Sequence, residues 1–227
     1  MKLYIVSTPI GNLKDITLRA IETLKEVDFI LCEDTRTSGN LLNHLEIKKE
    51  LISLNAFNEK SKINFIVNRI LSNQTAALIS DAGTPLISDP GVRLVSACID
   101  KGIEIIPIPG AVALIAALSM SGLPTDAFVF EGFLPQKKGR QTKLKELAIE
   151  PRTIVLYESM YRIEKLLKEL SEYLPERFVV VCREITKKFE ETWRGFPKDL
   201  VESFPEKISK GEFVVVIAPK GWKVISL

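Results

Sequence analysis

The residues best suited to chemistry in this chain lie in Ser80-Asp81-Ala82-Gly83-Thr84-Pro85-Leu86-Ile87-Ser88-Asp89-Pro90-Gly91. Asp81 can accept hydrogen bonds from a cation or a hydroxyl, and Ser80, Thr84 and Ser88 can donate as well as accept. Gly83 and Gly91 allow close backbone approach to a ligand, while Pro85 and Pro90 stiffen the loop. A second polar group, Glu33-Asp34-Thr35-Arg36, sets two carboxylates beside a guanidinium. There a carboxylate could orient or deprotonate a hydroxyl, and Arg36 could hold a phosphate. Both stretches also admit plainer roles. Asp89 or Ser88 could simply cap a helix, and Asp34 could cap one while Arg36 forms a solvated ion pair.

The elements around these stretches say where they must sit. An apolar run at 76–80 reads as a buried strand, and 92–99 as a helix with apolar positions every three to four residues. The 80–91 stretch is therefore a long turn at the carboxyl end of a strand, the usual ligand edge of an open α/β sheet. Strands at 3–6, 27–32, 51–54, 76–80 and 103–108 alternate with helices near 15–26, 37–45, 58–72, 92–99 and 111–120. Asp15 is the expected cap of the first helix. This alternation predicts a mostly parallel five-stranded sheet. Loops 7–13, 80–91 and 109–113 then share one edge. None is a GxGxxG fingerprint or a GxxxxGK[ST] loop, which argues against a dinucleotide or triphosphate. Pro109-Gly110 could present backbone N–H groups to a carboxylate or serve as a tight turn. The helix near 111–120 is small and aliphatic, and is expected to be buried all round.

A boundary falls near Ser121-Gly122-Leu123-Pro124-Thr125, giving domains 1–120 and 121–227. The second half has strands at 127–132, 153–157, 178–182, 189–194 and 213–218, with helices near 140–148, 161–173 and 198–203. Its looser alternation predicts a mixed α+β domain. The tail from Pro219 is expected to fray.

Charge is uneven between the halves. Residues 1–120 hold 12 Lys/Arg against 13 Asp/Glu, and the remainder 19 against 16, for a net charge of +2 over 227 residues. Lys137, Lys138, Arg140, Lys143 and Lys145 crowd a single stretch, and such clusters suit phosphate backbones as well as solvated faces. Arg162, Arg183, Lys187, Lys188 and Arg194 extend the positive character. His44 is the only histidine and reads as a surface or packing residue, so the chain must work without a His dyad or a His metal site; no Ser-His-Asp arrangement is evident, and no acidic cluster has metal-ligand spacing. Cys32, Cys98 and Cys182 are isolated thiols, which fits a reducing compartment, the cytoplasm, rather than a disulfide framework. No apolar run reaches membrane-spanning length, and Met1 to Val6 lacks the pattern of a signal peptide.

Several stretches together resemble one family. Thr8-Pro9-Ile10-Gly11-Asn12-Leu13, Glu33-Asp34-Thr35-Arg36, the 80–91 loop, residues 107–110, Glu131-Gly132-Phe133-Leu134-Pro135, Tyr157-Glu158-Ser159 and Arg183-Glu184-Ile185-Thr186-Lys187 occur in matching order. They are similar to the small-subunit ribosomal RNA methyltransferases of the tetrapyrrole methylase superfamily. The resemblance covers about residue 3 to Ala218. It implies a two-domain α/β fold of tetrapyrrole-methylase type, with S-adenosylmethionine in the cleft between domains. It also implies a homodimer that methylates a ribose 2′-oxygen of a cytidine in the decoding region of small-subunit ribosomal RNA, within the assembled subunit. On this resemblance Pro9, Asp81, Gly83, Pro85, Ser88, Gly110, Ala113 and Tyr157 line the cofactor site. Glu33, Asp34 and Arg36 are the candidate catalytic residues. Lys137, Lys138, Arg140, Arg162 and Arg183, together with Arg36, face RNA, and no metal is implied. The family's usual Pro-His-Arg after Tyr-Glu-Ser is here Met160-Tyr161-Arg162, and Phe57 stands where a histidine is common. No histidine role is therefore carried over. Two other readings remain open: a methyltransferase acting on a tetrapyrrole or protein side chain, and a non-catalytic RNA-binding module.

Overall fold

The computed structural model describes residues 1–204 and 211–223. Of the tail from Pro219, residues 224–227 thus lie outside the described residues. The chain divides into two compact units, Met1–Val112 and Ala113–Leu227, ahead of the 121–125 turn expected as the boundary. The helix Ala113–Ser121 packs on strands of the second unit, which carries it to that side of the division.

The first unit is a five-stranded sheet with parallel neighbours throughout, as the alternation requires. Its strands are β1 (Lys2–Val6), β2 (Phe29–Cys32), β3 (Glu50–Ser53), β4 (Ala76–Leu78) and β5 (Glu104–Ile108), in the order β3-β2-β4-β1-β5. Successive strand residues serve opposite faces. Leu3, Phe29, Leu31, Ala76 and Leu78 pack against α3 (Glu59–Leu71) and α4 (Val92–Asp100). On the other face Val6, Ile30, Cys32 and Ala77 meet α1 (Leu18–Glu26) and α2 (Thr35–His44). Near-continuous apolar strands are what a sheet covered on both faces demands.

Two expected caps are corrected. Asp15 closes a 3-10 turn, Leu13–Asp15, and Thr17 caps α1 by accepting from Ala20 N at 3.1 Å. Neither Asp89 nor Ser88 caps α4. Gly91 holds that position at φ 119°, where a Cβ would meet the Leu78 and Leu86 side chains at 2.8 and 2.9 Å. The free N–H groups of Arg93 and Leu94 are instead accepted by Glu59 Oε1, at 3.0 and 3.2 Å, so a carboxylate from α3 serves the positive end of α4.

The second unit is mixed, as expected. Its sheet runs β6-β7-β10-β8-β9, with β6 (Phe128–Phe133) and β7 (Thr153–Ser159) parallel. Strands β8 (Val179–Arg183), β9 (Glu191–Gly195) and β10 (Glu212–Ile217) join antiparallel. One face packs against α6 (Arg140–Ile149), α7 (Ile163–Tyr173) and α8 (Pro197–Ser203) around Ile154, Leu156, Val181, Leu167 and Phe213. Helix α5 (Ala113–Ser121) packs against β7 and β10. It is not buried all round: Leu114, Ala117 and Leu118 face inward, while Ile115 and Ser119 are exposed.

Candidate active site

Three loops of the first unit meet at the carboxyl edge of its sheet, following β1, β4 and β5. Ser7 N donates to Ile108 O at 3.2 Å. Thr8 and Gly83 exchange backbone hydrogen bonds, at 2.9 and 3.2 Å. The Thr8 hydroxyl donates to Ser80 O at 3.1 Å, and that of Ser80 to Gly83 O at 3.1 Å. Thr84 Oγ1 lies 2.7 Å from Ser7 Oγ and donates to Ala111 O at 3.2 Å. A hydroxyl carries one proton. With that of Thr84 given to Ala111, Ser7 must donate to Thr84, and the polarity of the chain is fixed.

The glycines at this edge are needed for packing. A Cβ at Gly110 would stand 2.7 Å from Ser7 Cβ, and one at Gly83, where φ is +88°, would stand 3.3 Å from Ile10 Cγ2. Leu86 and Ser88 also adopt positive φ, at 75° and 63°. Left-handed non-glycine residues cost energy and persist where the surroundings impose them, most often at functional loops.

Carboxylates crowd the same edge. Asp34 N donates to Asp81 Oδ1 at 3.3 Å, linking the loops after β2 and β4. Burial raises the Glu33 pKa, with Asp81 and Asp34 adding repulsion. Asp81 is also raised, mainly by burial. Asp89 is pushed up to about 6 by burial and by the neighbouring Glu33 charge. Asp34 moves the other way, to about 2, because Arg36 hydrogen-bonds its carboxylate from both side chain and backbone. The Arg36 Nη2 to Asp34 Oδ2 distance is 2.6 Å, and Arg36 N donates to Asp34 Oδ1 at 2.8 Å as the cap of α2. Such a patch of self-repelling carboxylates favours a cationic occupant. No group of three or more His, Cys, Asp or Glu that could hold a metal ion occurs among the described residues.

The expected cofactor residues divide between the units. Pro9, Asp81, Gly83, Pro85, Ser88 and Gly110 belong to the first. Ala113 and Tyr157 belong to the second, where Tyr157 Oη accepts from Leu114 N at 3.3 Å in the first turn of α5. The expected RNA-facing residues of the second unit differ in exposure and pairing. Lys137, Lys138 and Lys145 are exposed, and Lys143 pairs with Glu131 at 2.8 Å. Arg140 is a correction. It is 4% exposed, holds Glu169 through paired hydrogen bonds, and donates to Pro135 O at 3.0 Å. Arg183 is paired with Glu191, and Arg162 with buried Glu158 at 2.8 Å. Sequence reasoning gave no individual site role to Ser7 or Glu158. Glu158 could have been noticed as a carboxylate set within a largely apolar strand, β7.

A family model described as tetrapyrrole (corrin/porphyrin) methylases matches residues 2–201. The fold agrees with solved structures at low identity. A diphthine synthase aligns with TM-score 0.74 at 15% identity, covering 96% of this chain and 90% of the other. A Thermus thermophilus uroporphyrin-III C-methyl transferase complexed with S-adenosyl homocysteine aligns with TM-score 0.67 at 18% identity, covering 96% and 97%. The chain belongs to the tetrapyrrole methylase family. Within it, the sequence is 51% identical over 218 residues to the ribosomal RNA small subunit methyltransferase I of Synechocystis sp., covering 95% of this chain and 78% of that protein. It is 46% identical over 219 residues to the protein of the same name from Thermotoga maritima, covering 96% and 99%. The branch indicated by the sequence motifs is thereby borne out.

Proposed function

We propose that this chain transfers a methyl group from S-adenosylmethionine to the ribose 2′-oxygen of a cytidine in the decoding region of small-subunit ribosomal RNA. In this reading it acts as a cytoplasmic homodimer on the assembled subunit. The relatives' names support an RNA acceptor. The observation that carries the reading is the hydrogen-bonded edge formed by loops 7–13, 80–91 and 109–112, with Glu33, Asp81 and Asp89 crowded beside it. We assign Pro9, Asp81, Gly83, Pro85, Ser88, Gly110, Ala113 and Tyr157 to the cofactor. The acidic edge suits a ligand bearing an ammonium and a sulfonium. When bound, that ligand supplies an already activated methyl group.

The work left to the chain is to align a ribose hydroxyl and take its proton late in transfer. Glu33 suits the proton, since its raised pKa makes it the more basic neighbour of Asp34. Asp34 positions Arg36, whose side chain is 88% exposed and can reach a phosphate. Lys137, Lys138 and Arg162 supply further positive charge toward RNA, and Arg183 does so as a partner of Glu191. Arg140 is left to structure.

The test is transfer of labelled methyl from S-adenosylmethionine to unmodified small ribosomal subunits and, in parallel, to stripped ribosomal RNA. Mass spectrometry then locates the label. A 2′-O-methylcytidine supports the proposal, whereas label on a base, on protein or on a tetrapyrrole acceptor overturns it.

A further inference from the structure

We propose that Phe133 and Arg162 form a platform on which an unpaired base of the RNA acceptor stacks. The proposal rests on the RNA methyltransferase reading and names the place where the strand is gripped. Phe133 ends β6 and is 52% exposed, although it lies opposite Tyr157 in the parallel β6–β7 pair. A bulge explains this. The register shifts between Phe130 and Gly132, and Gly132 takes φ 59°. One extra residue in a strand resets the in–out alternation and re-aims the side chains that follow.

The exposed ring is held from two sides. Tyr157 meets it edge-on, with ring centroids 5.8 Å apart. The Arg162 guanidinium stands 5.7 Å from its centroid, within cation–π range. Arg162 is fixed from below by Glu158, which is 1% exposed and accepts from Arg162 Nε at 2.8 Å. Arg140 Nη2 lies 3.9 Å from the other Glu158 oxygen, which makes no hydrogen bond among the described residues. Arg140 is locked in turn by Glu169. Glu169, Arg140 and Glu158 are positioning residues for Arg162.

The chemistry of the rim selects the occupant. The charged residues of loops 134–139 and 160–162 are Lys137, Lys138 and Arg162, all positive, and Tyr161 beside them is 86% exposed. An open π-face next to a guanidinium and lysines suits a single-stranded nucleotide, with its base on the aromatic ring and its phosphate on the cations.

The test uses the full chain with unmodified small ribosomal subunits and, in parallel, stripped small-subunit ribosomal RNA, each over a range of salt. Phe133→Leu should raise the KM for RNA about tenfold, the scale of one lost base stack. Its salt dependence should match that of the unmodified chain, the Kd for S-adenosylmethionine should change less than twofold, and Phe133→Tyr should restore RNA binding. Lys137→Ala should instead lower the salt slope by about one. An unmodified chain that methylates RNA alongside a Phe133→Leu variant of equal KM overturns the platform alone. A Phe133→Leu variant that elutes as a smaller species in gel filtration assigns the ring to self-association and overturns stacking. An unmodified chain that methylates no RNA removes the parent reading, and the platform with it.

Discussion

The hydroxyls of Ser7 and Thr84 lie 2.7 Å apart across 77 residues of sequence, and the Thr84 hydroxyl donates its hydrogen bond to Ala111 O. Thr84→Val keeps the shape and removes both bonds. It should cost about 1–2 kcal/mol in denaturant unfolding, the scale of lost part-buried hydrogen bonds, and should weaken S-adenosylmethionine binding in calorimetry. Unchanged cofactor affinity would separate this network from the cofactor site.

Gly110→Ala tests the same edge sterically. A Cβ 2.7 Å from Ser7 Cβ forces the loops after β1 and β5 apart. The expected destabilisation is about 1–3 kcal/mol, as for other overpacked sites, with a parallel loss of cofactor affinity. Gly39→Ala is the control for the added methyl, because Gly39, like Gly110, lies outside the positive-φ region and its Cβ would meet only the Leu51 side chain, at 4.0 Å.

Asp89 gives the free protein a pH signature. Its folded pKa of about 6 lies above the ordinary value of 3.8, so the folded state keeps the proton longer than the unfolded chain does. The stabilisation from protonated Asp89 is complete below about pH 4 and is lost as pH rises through 6. Asp89→Asn should therefore gain stability relative to the parent from pH 4.5 to 7.5, read as a widening difference in Tm. A constant difference would place the raised acid elsewhere.

Glu33 and Asp34 should part ways kinetically. Glu33→Gln removes the proposed proton acceptor and should lower kcat more than tenfold with little change in cofactor affinity. Asp34→Asn keeps the α2 cap, since asparagine also caps well, and releases Arg36, so its effect should fall on the KM for RNA. An Asp34→Asn variant with the larger loss of kcat would reverse the two assignments.

Arg140 and Lys137 should also diverge, although three residues apart in one basic stretch. Arg140→Ala leaves Glu158 and Glu169 without their buried partner and should cost about 3–5 kcal/mol in unfolding. Lys137→Ala should leave unfolding within about 0.5 kcal/mol of the parent. Equal stability of the two variants would return Arg140 to the surface role that its neighbours suggest.

That contrast shows where the sequence was readable. Apolar periodicity located β1, β4, α4 and the carboxyl-edge loops, because burial on both faces leaves nearly uninterrupted Val, Ile, Leu and Ala. Asp34 as the cap of α2 was equally local. What escaped were pairings over long separations. Glu59 caps a helix that begins more than thirty residues later, which no nearby pattern announces. Arg140 looks like its exposed neighbours until Glu158 and Glu169 are brought to it by β7 and α7. The bulge at Gly132 was hidden because a single extra residue in a six-residue strand leaves its hydrophobic content unchanged.

The place of β1 between β4 and β5 has a consequence for synthesis. Its hydrogen-bonded neighbours are β4 and β5, at residues 76–78 and 104–108, so the earliest of these five strands to be made is among the last to find its partners. Until β4 emerges, Leu3, Ile5 and Val6 have no sheet to enter, and the nascent chain carries them uncovered. Domains fold as units during translation, and non-local parallel pairing is slow. The first unit can close only once residue 108 has cleared the exit tunnel. A truncation ending before β5 should therefore associate with chaperones, whereas one ending after Val112 should be released folded.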